Sequence, residues 1–237
     1  MSEIIETKII ARIYNEFSTK FAVPRQSGLA KEMSYIVFEK QYRDENALRG
    51  IEGYSHLWLL WHFSQNTCTK WSPTVRPPRL GGNVRMGVFA TRSPNRPSPI
   101  GLSSVELVAV EKSREYGTVL KVRGADLMNN TPIIDIKPYL SFTDSHPEAK
   151  NGFAGEKLNY RLNVEIPASL KQSLSYDKAD LLSELLSEDP RPSYIEDEKR
   201  VYGFDFGEFE VKFTVSGNTL TVCSITKNNS LAKRNEK

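Results

Sequence analysis

The stretch from Pro77 to Val105 constrains the fold more than any other part of the chain. It is rich in Gly, Pro, Asn and Ser, and it contains no Asp or Glu. Glycine allows positive φ angles, and proline fixes φ and removes a hydrogen-bond donor, so the stretch favours a shaped, irregular loop over a helix or a plain strand. Short apolar runs within it, at 86–90, and after it, at 100–110, argue against disorder. Ordered loops of this length usually carry function.

The region around this loop is strongly basic. Between Gly53 and Val105 there are six basic residues and no acidic residue, a net charge of +6, whereas the whole chain of 237 residues has a net charge of only +3. Prolines flank Arg92 and Arg96, and a stiff backbone reduces the entropy lost when guanidinium groups bind phosphate or carboxylate. The pattern favours an anion site over a merely solvated loop surface. The basic residues are Lys70, Arg76, Arg79, Arg85, Arg92 and Arg96.

Short β-branched and aromatic runs predict a mainly β N-terminal half. The run 55–63, SHLWLLWHF, is apolar almost without a break, which favours a strand covered on both faces. One helical turn is expected at 44–49. The other predicted strands are 8–14, 35–39, 101–110, 118–123 and 133–137.

The pattern changes after residue 144. The segment 145–157 has no apolar period and predicts a linker. Beyond it we expect strands and one helix with Asp177 as its N-cap. The predicted strands are 160–166, 207–215 and 219–225. The predicted organisation is a β domain of 1–144, the linker, a small α+β domain of 158–229, and a tail of 230–237.

The chain lacks the sequence motifs of several protein classes. There is no dinucleotide-binding GxGxxG, Walker loop, HExxH or GxSxG motif. Two cysteines and three histidines show no metal-ligand spacing, so we expect no metal site and a reducing compartment. No signal segment or apolar run of the ~18–20 residues that a membrane span needs is present. We expect a cytoplasmic protein that binds an anion or a nucleic acid, catalytic or not.

For several residues, the sequence is compatible with more than one role. His56 and His62 share a face if 55–63 is a strand, and core or cleft-edge positions are favoured over metal ligation. Asp126 and the following asparagines fit a turn, but they also fit the polar edge of a small ligand. Arg191 lies between two prolines, either in a helix stop or in a second rigid arginine loop.

Several separated motifs together resemble one family, the TsaA/TrmO-type (YaeB-like) tRNA methyltransferases. These motifs are FAVPRQ, SHLWLLWHF, RPPRLGG, GVFATRSPNRPSPIGLS and TPIIDIKPYL, and DPRPSY resembles the family's bacterial C-terminal domain. The resemblance implies methylation of N6 of the threonylcarbamoyladenosine beside the tRNA anticodon, with S-adenosylmethionine as cofactor. It also implies a single-sheeted antiparallel β-barrel that binds the cofactor near a homodimer interface. The alternative is a non-catalytic RNA-binding or regulatory β-barrel.

The resemblance also implies site residues. In the turn, MNNTP stands where relatives commonly have a DGTP-like run, so Asn130 replaces a Gly and should adopt positive φ. The proton acceptor is not identified, and its candidates are Asp126, Asp135 and Tyr139. The anticodon stem-loop is expected to meet Arg79, Arg85, Arg96 and Arg191. The expected cofactor positions are Pro24, Arg25, Gln26, His62, Phe63, Arg92, Leu102, Asp126, Leu127, Met128 and Asn129.

Overall fold

The computed structural model describes residues 4–21, 23–66, 70–77, 80, 84–157, 160–191 and 197–228. The protein is mainly β, as the sequence predicts. The helices are α1 (Ser141–Asp144), α2 (Ala168–Lys171) and α3 (Tyr176–Ser187). The strands are β1 (Ala11–Tyr14), β2 (Met33–Phe38), β3 (His56–His62), β4 (Thr74–Val75), β5 (Met86–Gly87), β6 (Ile100–Ser113), β7 (Gly117–Arg123), β8 (Thr131–Pro138), β9 (Asn163–Glu165), β10 (Tyr202–Phe206), β11 (Phe209–Ser216) and β12 (Thr219–Lys227).

Six strands of the N-terminal half form a closed barrel in the order β1-β2-β7-β6-β3-β8. Neighbouring strands are antiparallel, and the pairing of β8 with β1 closes the ring. Because successive side chains of a strand point to opposite faces, alternate residues fill the interior. Ile13, Ile36, Leu57 and Leu120 are completely buried there. The barrel therefore has its own apolar core, and its outer face remains available for binding.

Strand β3 corrects one prediction. Only one of its faces is fully covered, because the strand lies in the barrel wall: Leu57, Leu59 and Trp61 are buried, while His56 and His62 are exposed on the outer face. The unbroken apolar run concealed this, since Trp58 and Leu60 are apolar residues on the outer side and are only half-buried.

The loop 77–105 is more regular than its composition suggests. Strand β5 within it pairs with β4, and residues Val88–Ala90 form a 3₁₀ turn. The N-terminal half thus contains a second, two-stranded sheet, so the prediction of a single sheet is incomplete. The hairpin of β6 and β7 is also longer than predicted, because pairing continues to Ser113 and Gly117.

The C-terminal half forms a four-stranded sheet in the order β10-β11-β12-β9. Strand β9 runs parallel to β12, and the other pairs are antiparallel. The sequence predicted α3, but its N-cap is Ser175, whose Oγ accepts a hydrogen bond from Lys178 N at 3.4 Å. Asp177 lies in the first turn instead, where a negative charge complements the helix dipole. Strand β10 was not predicted.

The two halves pack against each other directly. Phe17 and Ala30, from the N-terminal half, belong to the apolar core of the C-terminal sheet. Glu16 forms an ion pair with Lys178 at 3.1 Å, and its carbonyl accepts a hydrogen bond from Gly207 N. The segment predicted to be a linker, 145–157, contains a 3₁₀ turn at Gly152–Lys157.

In the part of the chain that the structure describes, no helix is long and apolar enough to cross a membrane. The same residues contain no group of three or more His, Cys, Asp or Glu side chains that could hold a metal ion.

Candidate functional site

A chain of hydrogen bonds brings three separated motifs together. Arg92 donates to Gln26 Oε1 at 2.5 Å, and Gln26 Nε2 donates to the carbonyl of Arg25 at 2.6 Å. The Arg25 guanidinium donates in turn to the carbonyl of Asp189 at 2.6 Å. Pro24 is buried immediately before this segment. The proline-flanked arginine loop, the FAVPRQ segment and the C-terminal half therefore meet at one place.

The Asp126 carboxyl group lies beside this chain. Burial raises the pKa of Asp126 above its usual range, and the hydrogen bond from Ser103, the positive charge of Arg92 and the N–H of Ser27 oppose that shift. Ser103 Oγ donates to Asp126 Oδ1 and accepts a hydrogen bond from Trp61 Nε1 at 2.9 Å. Because the carboxyl group is partly desolvated, loss of any of these partners would favour its neutral form.

Ser103 was not among the predicted site residues. It occupies an inward-facing position of β6, between Gly101 and Val105, which are also buried. A hydroxyl group at an inward position of a strand needs a hydrogen-bond partner, and this is the signal that sequence reasoning overlooked. A Cβ at Gly101 would lie 2.2 Å from Trp61, so only glycine there allows the indole to reach Ser103.

An apolar edge continues from this cluster. The Phe63 ring packs against Trp61 with 4.2 Å between ring centroids, and Phe63 N donates to the carbonyl of Pro99. Leu102, on the outer face of β6, is 50% exposed and lies opposite Leu60. His62, at the end of β3, is exposed. These side chains give the site an apolar surface next to its charged groups.

The turn after β7 places its residues in different environments. Leu127 is buried in the barrel core, and its carbonyl accepts a hydrogen bond from Asn15 Nδ2 at 2.9 Å. Asn129 Oδ1 accepts from Asn15 N, and Met128 is half-buried. Asn130 has φ 64°, which confirms the expected positive φ.

A groove of about 520 Å³ begins at Arg92 and crosses the outer face of the barrel. Trp58 Nε1 donates to Asp144 Oδ2 at 2.7 Å, and Leu140 N donates to the same oxygen at 3.0 Å. The hydrogen bonds from Leu140 and Trp58 lower the pKa of Asp144. The Tyr139 ring lies 5.5 Å from the Trp58 ring, measured between centroids. The groove is lined by Ser27, His56, Trp58, Arg92, Ser104, Tyr139 and Asp144.

Comparison with known families accounts for both halves of the chain. Residues 12–145 match the tRNA-methyltransferase O N-terminal domain, and residues 159–228 match the TrmO C-terminal domain. The chain belongs to the tRNA-methyltransferase O (TrmO) family.

Individual relatives agree with this assignment. The chain is 42% identical over 216 residues to the tRNA (adenine(37)-N6)-methyltransferase of Escherichia coli K12, covering 87% of this chain and 92% of the relative. It is 38% identical over 210 residues to a Pseudomonas aeruginosa protein named as a candidate S-adenosylmethionine-dependent methyltransferase, covering 85% and 89% of the two chains. A crystal structure of TrmO from Pseudomonas aeruginosa superposes with a TM-score of 0.77 at 29% identity, covering 96% and 99%.

The three candidate proton acceptors of this TrmO family member are not brought together. Tyr139 lines the groove, whereas Asp126 does not line it and is near enough to Arg92 for their charges to interact. Asp135 forms an ion pair with Lys137 at 2.8 Å and accepts a hydrogen bond from Ile136 N, away from the groove lining.

The arginines predicted to meet RNA also differ in environment. Arg85 is exposed and donates to Thr74 Oγ1. Arg96 donates to the carbonyl of Thr91 at 3.2 Å. Arg79 lies outside the residues that the structure describes.

Arg191 is half-buried. Its side chain is 17% exposed, and it forms a two-pronged ion pair with Asp189, with N–O distances of 2.8 and 2.9 Å. Although burial favours the neutral acid, the hydrogen bonds and charge of Arg191 lower the pKa of Asp189. Asp189 has a positive φ of 51° and is the residue whose carbonyl accepts from Arg25. The charge of Arg191 is thus balanced within the C-terminal half.

Proposed function

We propose that this protein is a tRNA methyltransferase that transfers the methyl group of S-adenosylmethionine to N6 of threonylcarbamoyladenosine beside the anticodon. One observation carries the proposal: in a chain whose two halves match the two TrmO family models, Gln26, Arg92 and Asp126 of three separated motifs converge. Family membership favours methyl transfer over the alternative of a non-catalytic RNA-binding barrel.

The side chains present fit S-adenosylmethionine. The cofactor carries a carboxylate, an ammonium, ribose hydroxyls and an adenine ring. Arg92 suits the carboxylate, Asp126 can accept hydrogen bonds from the ammonium or the hydroxyls, and Phe63 provides apolar surface for the ring. Pro24, Arg25, Gln26, His62, Leu102 and the backbone of residues 127–129 complete the proposed cofactor site.

Bound S-adenosylmethionine supplies an electrophilic methyl group on a positively charged sulfur. The protein then has to hold the acceptor nitrogen in line with that methyl and exclude water. The carbamoyl substituent makes the N6–H more acidic, so a nearby acceptor assists its removal. Asp135 is already ion-paired outside the groove, so we assign contact with the acceptor base to Tyr139 and cofactor binding to Asp126.

The two halves divide the recognition of tRNA in this proposal. The basic segment 53–105, through Arg79, Arg85 and Arg96, meets the phosphates of the anticodon stem-loop, and the domain of 158–229 contacts the rest of the tRNA. Because Arg191 is paired with Asp189, its proposed part is to fix the segment that holds Arg25 and to offer its remaining N–H groups to RNA.

A homodimer in the cytoplasm is part of the same proposal. The barrel domain of 1–144 exposes large apolar side chains on the basic segment, including Trp71 and Phe89, the latter 73% exposed. We assign these exposed apolar side chains to the dimer interface, where a second copy of the chain would cover them.

Incubation with labelled S-adenosylmethionine and tRNA that carries or lacks the threonylcarbamoyl group tests the activity. We expect transfer to the modified tRNA. No transfer to either tRNA would contradict the proposal. Salt-dependent RNA binding without cofactor binding in a calorimetric titration would instead support the non-catalytic alternative.

A further inference from the structure

The groove beyond Arg92 has the composition of a base-binding site. Three of its lining residues, His56, Trp58 and Tyr139, are aromatic, and their rings contact one another: the His56 and Trp58 rings lie 6.1 and 5.5 Å from that of Tyr139, between centroids. Aromatic side chains of this kind stack on unpaired bases of single-stranded RNA. The volume of about 520 Å³ is within the range of small-ligand pockets, roughly 300–1,000 Å³.

The wall of the groove is held rigidly. Asp144 accepts hydrogen bonds from both Trp58 Nε1 and Leu140 N, which ties the indole to the segment that follows β8. Tyr139 N donates to the carbonyl of His56, which fixes the neighbouring aromatic pair. A wall that is already ordered loses little entropy when a flat ring stacks on it.

The groove also offers polar groups for the edge of a base. Among the residues that the structure describes, the hydroxyl groups of Tyr139 and Ser104 have no hydrogen-bond partner in the protein, so both remain available to a ligand. Arg92 lies at the end that meets Gln26 and Asp126. A base in the groove would therefore extend toward the residues to which we assign the cofactor.

We propose that the groove lined by His56, Trp58 and Tyr139 binds the unpaired acceptor adenine of the RNA substrate. This inference rests on the proposed function and adds a base site distinct from the cofactor positions. RNA is a better occupant than the cofactor's own adenine, because Phe63, to which we assign that ring, does not line the groove. Arg92 lines the groove and is also a proposed cofactor residue, so the two sites adjoin, as methyl transfer requires.

An RNA stem-loop with 2-aminopurine at the acceptor position tests this inference, because the emission of this adenine analogue falls when it stacks. We expect wild-type protein to quench the emission. Tyr139→Leu should abolish the quenching and weaken RNA binding by about 5- to 150-fold, the range for loss of one stacked base, with cofactor affinity unchanged in a calorimetric titration. Tyr139→Phe, which keeps the ring, should retain the quenching.

Matched variants make the outcome decisive. Tyr116→Leu removes an exposed tyrosine at the turn between β6 and β7, outside the groove, and should behave as wild type. If Tyr139→Leu does not fold, His56→Leu gives the same test. Normal quenching in the leucine variants, or equal loss of cofactor and RNA affinity, would overturn the inference. Absence of methyl transfer by wild type, with quenching intact, would instead contradict the proposed function and leave the base site standing.

Discussion

The barrel and the C-terminal sheet solve the problem of burying apolar surface in different ways. The barrel closes on itself, and its core lies inside the ring of six strands. The C-terminal sheet is open, and its core is completed by α3 and by Phe17 and Ala30 from the N-terminal half. A closed barrel leaves its outer face available for the aromatic groove, whereas the open sheet depends on a neighbour. We therefore expect the barrel to provide the ligand surface and the junction to determine the stability of the C-terminal half.

Removing Phe17 should give the largest effect on this comparison. Its side chain is 0% exposed, within the core of the C-terminal sheet. We expect Phe17→Ala to lower the free energy of unfolding by about 3–5 kcal/mol in urea denaturation, because it leaves a cavity at the junction. Phe142→Ala, at an 86% exposed position, should change it by less than about 0.5 kcal/mol. Similar values for both variants would contradict the dependence of the sheet on Phe17.

Substitution of Arg92 tests whether the barrel surface binds the cofactor. Arg92→Ala removes a hydrogen bond to Gln26 and a charge beside the half-buried Asp126 carboxyl group. We expect cofactor affinity to fall by about 10- to 100-fold in calorimetry, because the desolvated Asp126 loses a favourable partner. The loss should increase at lower pH, since without Arg92 the pKa of Asp126 rises further.

Arg85→Ala is the matched control in the same basic segment. Arg85 is exposed and donates to Thr74 Oγ1. This variant should leave cofactor affinity unchanged and reduce the salt dependence of RNA binding by about one unit of slope. Unchanged cofactor binding in Arg92→Ala would mean that Arg92 only solvates the surface.

Glu32 makes the junction sensitive to pH. It is 4% exposed, and burial raises its pKa to about 7; the N–H of Glu16 and the charge of Lys178 lower it, while the charge of Glu16 adds to the rise. Since the folded state binds this proton more tightly, ionisation of Glu32 destabilises the protein as pH rises from about 4.5 to about 7.

Glu32→Gln should therefore be more stable than wild type by about 2 kcal/mol at pH 8 and similar to it near pH 4.5. Urea denaturation of both proteins across this range measures the difference. A difference that does not change with pH would show that Glu32 titrates alike in the folded and unfolded states.

The smallest expected effect concerns the start of α3. Ser175→Ala removes the side-chain cap of Lys178 N and should cost about 1 kcal/mol of unfolding free energy. Asp177→Ala should cost less, because Asp177 contributes only through the helix dipole. If thermal denaturation showed a larger loss of stability for Asp177→Ala than for Ser175→Ala, Asp177 would be the cap.

Sequence patterns predicted the positions of most strands, but not which of their faces are buried or which residue caps α3. Alternation and β-branched residues placed β2, β7 and β8 to within a few residues. The prediction that both faces of β3 are buried was wrong, because the sequence does not distinguish the half-buried Trp58 from a core residue. The cap of α3 was displaced by two residues, since Ser175 and Asp177 are both good N-caps and only the backbone shows which one precedes the first turn.

The site was predictable in part. The family resemblance implied that Gln26, Arg92 and Asp126 bind the cofactor, and the structure brings these three residues together. Ser103 was missed, although a serine at an inward position of β6 was a signal for it. No sequence signal indicated two of the hydrogen bonds, because each joins residues more than 80 positions apart. These bonds run from Trp58 to Asp144 and from Arg25 to Asp189.

The sequence by itself determined the mainly β class, the basic segment 53–105 and the motifs of the TrmO family, because composition, alternation and local turn chemistry are properties of neighbouring residues. Only the tertiary structure decided which face of β3 is free, that Arg25 binds the carbonyl of Asp189, and that an aromatic groove starts at Arg92. These features arise from barrel closure and from packing at the junction, which bring distant residues within hydrogen-bond distance. The irregular loop at 77–105 thus specifies a charged segment, and the barrel behind it determines which of its arginines can reach a ligand.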